Sequence, residues 1–233
     1  MTTWARALMT GLIAMAAACR PGPPETALEQ AAARDDAAGI RRLVAEGADP
    51  NAFDGQGGTA LMFACREGHA TAAEALLGSG ARTDLTDQRT TGWTALMHAV
   101  HKRQHEPARV LLDHGADPNA RTSGGVTALI MASAYGDTEM VRLLLDCGAD
   151  PRARTVVGVT ALSNAAGNGG LFDITDGPGL GVCHPDTARL LLARAPDLRL
   201  EGGRRTRLHL FVSWLARGRG CDEVRTLLAA HRS

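Results

Sequence analysis

The chain has 233 residues, enough for one domain or one elongated array of small units. Hydrophobic residues make up 45% but aromatic ones only 3%, which argues against a large ring-filled centre and for thin layers of small-residue helices. Lys+Arg and Asp+Glu each number 25, and this zero balance excludes a chain-wide electrostatic affinity for nucleic acid or acidic membrane.

Residues 1–18 read as a signal peptide. Arg6 supplies a small positive start, and Ala7 to Ala18 form an uncharged, mostly apolar run. That run is shorter than the about 20 residues a bilayer span needs and matches a signal-peptide core. It ends Ala16-Ala17-Ala18-Cys19, which resembles the lipobox of bacterial lipoproteins. The resemblance implies that Cys19 is the lipidated first residue of the mature chain. Ala16 and Ala18 also fit an ordinary Ala-x-Ala cleavage site, which would release a soluble secreted protein. The Pro-rich stretch from Arg20 to Glu25 is an extended tether reaching roughly 19 Å at about 3.1 Å per residue. With Arg20 after the Cys, the resemblance implies the periplasm and an outer-membrane anchor. Membrane contact is then expected only through the lipid at Cys19.

From Thr26 a period near 33 governs the chain. Thr-Ala-Leu starts at Thr26, Thr59, Thr94, Thr127 and Thr160, and Thr206-Arg207-Leu208 is a worn sixth copy. Gly-Ala-Asp travels with it at Gly47, Gly115 and Gly148, as Gly-Ala-Arg at Gly80, and as Ala195-Pro196-Asp197. Pro-Asn-Ala follows at Pro50 and Pro118. In the clearest copy Thr127 caps a first helix whose Leu129, Ala132 and Ser133 share one face. Asp137 caps a second helix that buries Met140, Val141 and the leucines at 143–145, and Gly148 stops it. One such hairpin cannot bury its face alone, so neighbouring copies stack.

These residues resemble the ankyrin-repeat family. The resemblance implies an all-α solenoid of about six helix-turn-helix units with hairpin fingertips, spanning 26–233. The repeats fall near 26–57, 58–91, 92–124, 125–157, 158–203 and a C-terminal cap at 204–233. The family's Pro after Thr is replaced by Ala60, Ala95, Ala128 and Ala161, which implies a looser start to each first helix. In the last repeat Phe211 and Trp214 stand where small residues are expected, as suits a cap. The fifth repeat carries a Gly-rich insertion of 14 residues within Asn168 to Pro185, either a neutral surface loop or a contact for a partner. Cys183 and Cys221 lie between the two helices of adjacent repeats, which makes them a disulfide candidate. Cys65 is expected to pack as a small buried residue, and Cys147 receives no role.

No nucleophile elbow, Ser-His-Asp set, His-Glu-x-x-His or Cys-x-x-Cys occurs in the chain. His98, His101 and His105 cluster, with His114 nearby, and read as exposed polar positions without a paired carboxylate. A metal-dependent enzyme built on them is the rival class. No catalytic residue, metal or cofactor is expected.

The family resemblance implies that the partner is another protein, met by fingertips and by the open side of the first helices. The fingertip candidates are Gln56, Thr90, Trp93, Val126, Val156, Val157 and Val159. The helix candidates are Arg66, His101, Lys102, Tyr135 and Asn168. Trp93 and Tyr135 suit interface anchors, and the valines would add exposed apolar area; Trp93 also has the option of folding back on its own turn. The expected function is a non-enzymatic protein-binding scaffold, with an immunity-type inhibitor of a periplasmic toxin as one form of it.

Overall fold

The computed structural model describes residues 26–88, 92–168, 182–198 and 221–231. The signal segment, Cys19, the tether, Thr90, residues 169–181 of the insertion, and Thr206, Arg207, Leu208, Phe211 and Trp214 lie outside the described residues, as does the side chain of Asn168.

Among the described residues five hairpins follow one another. Their helices are α1 (Ala27–Ala33) with α2 (Ala37–Ala45), α3 (Ala60–Glu67) with α4 (Ala70–Gly78), α5 (Ala95–His101) with α6 (His105–Asp113), and α7 (Ala128–Ala134) with α8 (Thr138–Asp146). The fifth pairs α9 (Ala161–Ser163), continued by a wide turn at Asn164–Asn168, with α10 (Pro185–Arg194). A final helix, α11 (Cys221–Ala230), packs on α10. First helices stack on first helices along the array, and second helices pack on second helices across the first three hairpins and between the last two, the arrangement of an all-α repeat solenoid. Among the described residues the only β-pairing is two isolated bridges, Thr86 with Thr94 and Arg154 with Thr160, at the feet of hairpin loops. No helix among the described residues is long and apolar enough to cross a membrane.

The repeated threonines start the first helices. Thr26 accepts from the Glu29 amide at 3.1 Å, Thr59 from Met62 at 3.3 Å, Thr94 from Met97 at 3.4 Å and Thr127 from Ile130 at 3.4 Å. Each such cap satisfies an amide the helix cannot, and is worth about 1 kcal/mol. The alanines after the later threonines, Ala60, Ala95, Ala128 and Ala161, lie buried, where a small side chain permits close stacking, whereas Ala27 at the start of the array is exposed.

Leucines one repeat apart form the seam. Leu61, Leu96, Leu129 and Leu162 come from first helices, and Leu76, Leu111, Leu144 and Leu191 from second helices; all eight are fully enclosed. Burial of each contributes about 2 kcal/mol, which no isolated hairpin could capture. Cys65 joins this core, and burial pushes its thiol far above the ordinary range, so it packs as an apolar group. Cys147 is exposed at the end of α8.

Polar clamps add register to the seam. Asn51 donates to the Gly80 carbonyl at 3.0 Å and accepts from the Arg82 amide at 2.8 Å. Asn119 repeats both bonds two hairpins later, with Gly148 at 3.0 Å and Asp150 at 2.7 Å. The fourth repeat lacks that Asn; Arg152 stands in its place and reaches Asp197 of the fifth, with Nε 3.0 Å from Oδ2. Cys183 and Cys221 are joined by a disulfide with Cα atoms 5.1 Å apart, tying α10's entry to α11. A crosslink over 38 residues contributes roughly 4 kcal/mol in the chain-entropy account.

Candidate protein-docking face

Between the helices of each hairpin the chain must turn through the left-handed region. Gly68 and Gly136 do so at φ 90 and 64, whereas Asp35 and Arg103 hold φ 51 and 56 with side chains attached. A non-glycine there costs of order 1 kcal/mol. Asp35 offsets it by accepting the Ala72 amide of the next hairpin at 2.7 Å. Arg103 reaches forward to the next hairpin, donating to the Tyr135 carbonyl at 2.9 Å with its guanidinium over the Tyr135 ring at 5.9 Å.

Tyr135 is the centre of a ring chain. Its hydroxyl lies 2.7 Å from His101 Nδ1, and the two ring centroids are 5.8 Å apart. Trp93 meets His101 edge-on with ring centroids 5.1 Å apart and lies tilted to His98 at 5.3 Å. Thus Trp93 does lie over the first helix of its own repeat, and in doing so it also extends the row of rings toward Tyr135. Trp93, His101, Lys102 and Tyr135 are all half-buried, with one edge held and the other open. Arg66 continues the row backwards, its guanidinium 5.0 Å from the Phe63 ring and 3.0 Å from Glu67.

His98 departs from expectation. It is not an exposed polar position and not without a carboxylate: it is buried, with Nε2 2.7 Å from Asp87 Oδ2. Burial lowers its pKa, and the Asp87 carboxylate, which favours the charged ring, offsets only part of that. The neutral ring donates Nε2–H to the carboxylate. Asp87 is itself placed by its amide, which donates to the Trp93 carbonyl at 2.9 Å. This pair pins the fingertip of the third repeat to its own helix. Sequence reading missed it because, although Asp54 holds the same hairpin position one repeat earlier, Phe63, Met131 and Asn164 stand where the third repeat has His98.

The three histidines serve different partners. His98 holds Asp87, His101 holds Tyr135, and His105 holds Asp137 with Nε2 at 2.9 and 3.0 Å. Among the described residues no group of three or more His, Cys, Asp or Glu is placed to bind a metal.

The fingertip candidates divide. Val156 and Val157 are 77% and 70% exposed. Val126 is a correction: it is only 8% exposed. Its amide donates to Thr122 Oγ1 at 3.1 Å and its carbonyl accepts from the Thr122 amide at 3.0 Å, so the hairpin closes with the side chain turned into the core. Val159 and Gln56 are half-buried, their amides bound at 3.0 Å by Thr155 Oγ1 and at 2.8 Å by Asp54 Oδ1. Gln56 and Val156 stay at loop tips, away from the ring chain in sequence. The structure therefore brings Trp93, His101 and Tyr135 together, sets Lys102 and Arg66 on the same ends of first helices, and leaves Val156 and Val157 as a separate apolar tip.

Comparison with known proteins follows the same lines. A family model described as ankyrin repeats matches the chain in three overlapping copies, at residues 11–87, 28–122 and 71–155. B-cell lymphoma 3 protein of Homo sapiens is 41% identical over 83 residues, 35% of this chain and 18% of that protein. A putative ankyrin repeat-containing protein of Treponema pallidum (strain Nichols) is 41% identical over 98 residues, 42% of this chain and 32% of that protein. The mitochondrial disaggregase of Bos taurus is 33% identical over 153 residues, 51% of this chain and 23% of that protein. The chain thus spans between 18% and 32% of the length of these three relatives.

Proposed function

The chain belongs to the ankyrin-repeat family, and on that premise we propose that it is a non-enzymatic scaffold of the bacterial cell envelope that docks another protein on the face carrying Trp93, His101 and Tyr135. The observation that carries this reading is the ring chain from Trp93 through His101 to Tyr135, which crosses two repeats and is held from beneath by Asp87 and Arg103. Rings fixed before binding lose little freedom on docking, and Trp, Tyr and Arg dominate interface energetics. The envelope part of the reading draws support from the apolar run ending at Cys19 and from the buried disulfide, since such bonds persist in oxidising compartments.

Two measurements test it. Trp93→Ala and Tyr135→Ala should each weaken a purified partner's binding at least tenfold with helical content kept; unchanged affinity in both rejects the face. Fractionation of the producing cell should place the chain in the envelope, with Cys19→Ala releasing it from membranes. Recovery of the wild type in the cytoplasm rejects the location.

A further inference from the structure

We propose that the Val156–Val157 turn is a membrane-contacting tip: the two valines enter the apolar boundary of an anionic lipid surface while Arg121 and Arg154 meet its headgroups. This contact is separate from the face carrying Tyr135 and from the lipid expected at Cys19.

The turn departs from its counterparts in other repeats. Three fingertips close by the same bond, a glycine amide donating to the carbonyl three residues back: Gly57 to Asp54 at 3.0 Å, Gly125 to Thr122 at 2.8 Å and Gly158 to Thr155 at 2.9 Å. The two central residues are Gly55-Gln56 in the first, Ser123-Gly124 in the second and Val156-Val157 in the third. Turn centres favour small and polar residues, as the first two have. Val156 and Val157 are instead the most exposed large apolar side chains among the described residues. They add nothing to the core, so packing does not call for them.

The backbone holds them out. The Val156 amide donates to the Gly124 carbonyl of the preceding fingertip at 2.9 Å, and Thr155 Oγ1 accepts the Val159 amide at 3.0 Å. Gly125 lies so close to the next fingertip that a β-carbon there would meet Thr155 Cα at 3.1 Å, so the two tips back one another. A tip fixed before contact loses little freedom on binding.

Charge identifies the occupant. Arg154 stands two residues before Val156, roughly 7 Å back along extended chain, and the Arg121 guanidinium donates to the Arg154 carbonyl; both arginines are exposed. Arg152, further down, pairs with Asp197. The carboxylates of Asp117 and Asp150 lie at the hairpin feet, where they accept the Asn119 and Arg152 amides. The order along these hairpins is therefore apolar, cationic, then anionic. An anionic lipid surface presents the matching order, acyl chains beneath charged headgroups, over about 5–10 Å. The zero net charge of the chain bars a general attraction to acidic membrane but not this local one, which acts within a Debye length. Two valines and two cations hold weakly, so the tip orients a chain anchored elsewhere rather than retaining a free one.

A fluorophore reads the tip alone. Val157→Cys is labelled with nitrobenzoxadiazole in the full chain carrying Cys19→Ala and Cys147→Ser; Cys65 is buried and Cys183 and Cys221 are joined, so the label goes to one site. The titrants are vesicles of phosphatidylcholine alone or of equal parts phosphatidylcholine and phosphatidylglycerol. Emission should rise about threefold or more with the anionic vesicles. It should stay flat with the neutral ones, and with the label moved to Glu74→Cys on the exposed side of α4. Arg121→Gln should weaken the titration about fivefold and Arg121→Lys should restore it, because headgroups read charge. No rise at position 157, an equal rise at position 74, or an equal response to both vesicles overturns the proposal. So does Arg121→Lys remaining as weak as Arg121→Gln. Emission that ignores vesicles and rises with the purified docking partner assigns the tip to protein and overturns it too.

Discussion

His101 Nδ1 and the Tyr135 hydroxyl lie 2.7 Å apart although 34 positions separate them in the chain. The bond crosses the boundary between the third and fourth repeats, so it joins two side chains of the proposed docking face and two structural units at once. Tyr135→Phe keeps the ring and removes the bond. Urea denaturation should show a loss of about 1 kcal/mol, the ordinary worth of a part-buried hydrogen bond. No loss would mean that water satisfies His101 equally well.

Asn119 holds the same boundary from the opposite end of the repeats. Asn119→Ala removes both its bond to the Gly148 carbonyl and its acceptance of the Asp150 amide. A loss of roughly 1–3 kcal/mol is expected, because two backbone groups lose partners. In an array held by neighbour terms, the unfolding transition should also broaden. A sharp transition at the wild-type midpoint would contradict the clamp.

Two valines give a direct test of the fingertip geometry. Val126→Asp places a carboxylate in the closed core of the hairpin and should cost more than about 3 kcal/mol. Val156→Asp, at a tip 77% exposed, should stay within about 0.5 kcal/mol of wild type. Similar midpoints for both variants would refute the inward turn of Val126.

Acid should weaken the fold through two histidines. Burial lowers the pKa of His98 and of His184 below the ordinary 6.5, the bonds to Asp87 and to the Ala134 carbonyl offsetting part of the shift. As pH falls below 6.5 the unfolded chain takes up these protons first. Their contribution is therefore complete above pH 6.5 and is lost as pH falls through the folded-state values. The melting temperature should drop between about pH 7 and pH 5, and His98→Gln, which keeps a donor toward Asp87, should flatten that drop. An unaltered pH profile in the variant would remove His98 from the account.

Most of the scaffold was legible in the sequence because each repeat needs the same caps, seam residues and stops. Thr127, Leu129, Asp137, Val141 and Gly148 each do in the structure what their spacing implied. The proposed docking face was legible only in part. Trp93 and Tyr135 stood out as rare rings at varying positions, but their joining through His101 depends on the approach of two repeats. Asp87 and Arg103 were not legible at all, since the histidine that Asp87 holds has no counterpart in the other repeats and Arg103 is a non-glycine at φ 56. Val126 was misplaced for a related reason: hairpin residues alternate in direction, and only the Thr122 bonds decide which of them turns inward.

Photo-crosslinking in the producing cell tests the central claim most directly. A benzophenone side chain is placed in the full chain at position 135 on the first-helix face, or at position 142 on the exposed side of α8. The account predicts one discrete adduct with another protein from position 135, lost when Trp93→Ala is added, and none from position 142. An adduct from position 142 alone, or the same adduct from both, would contradict it.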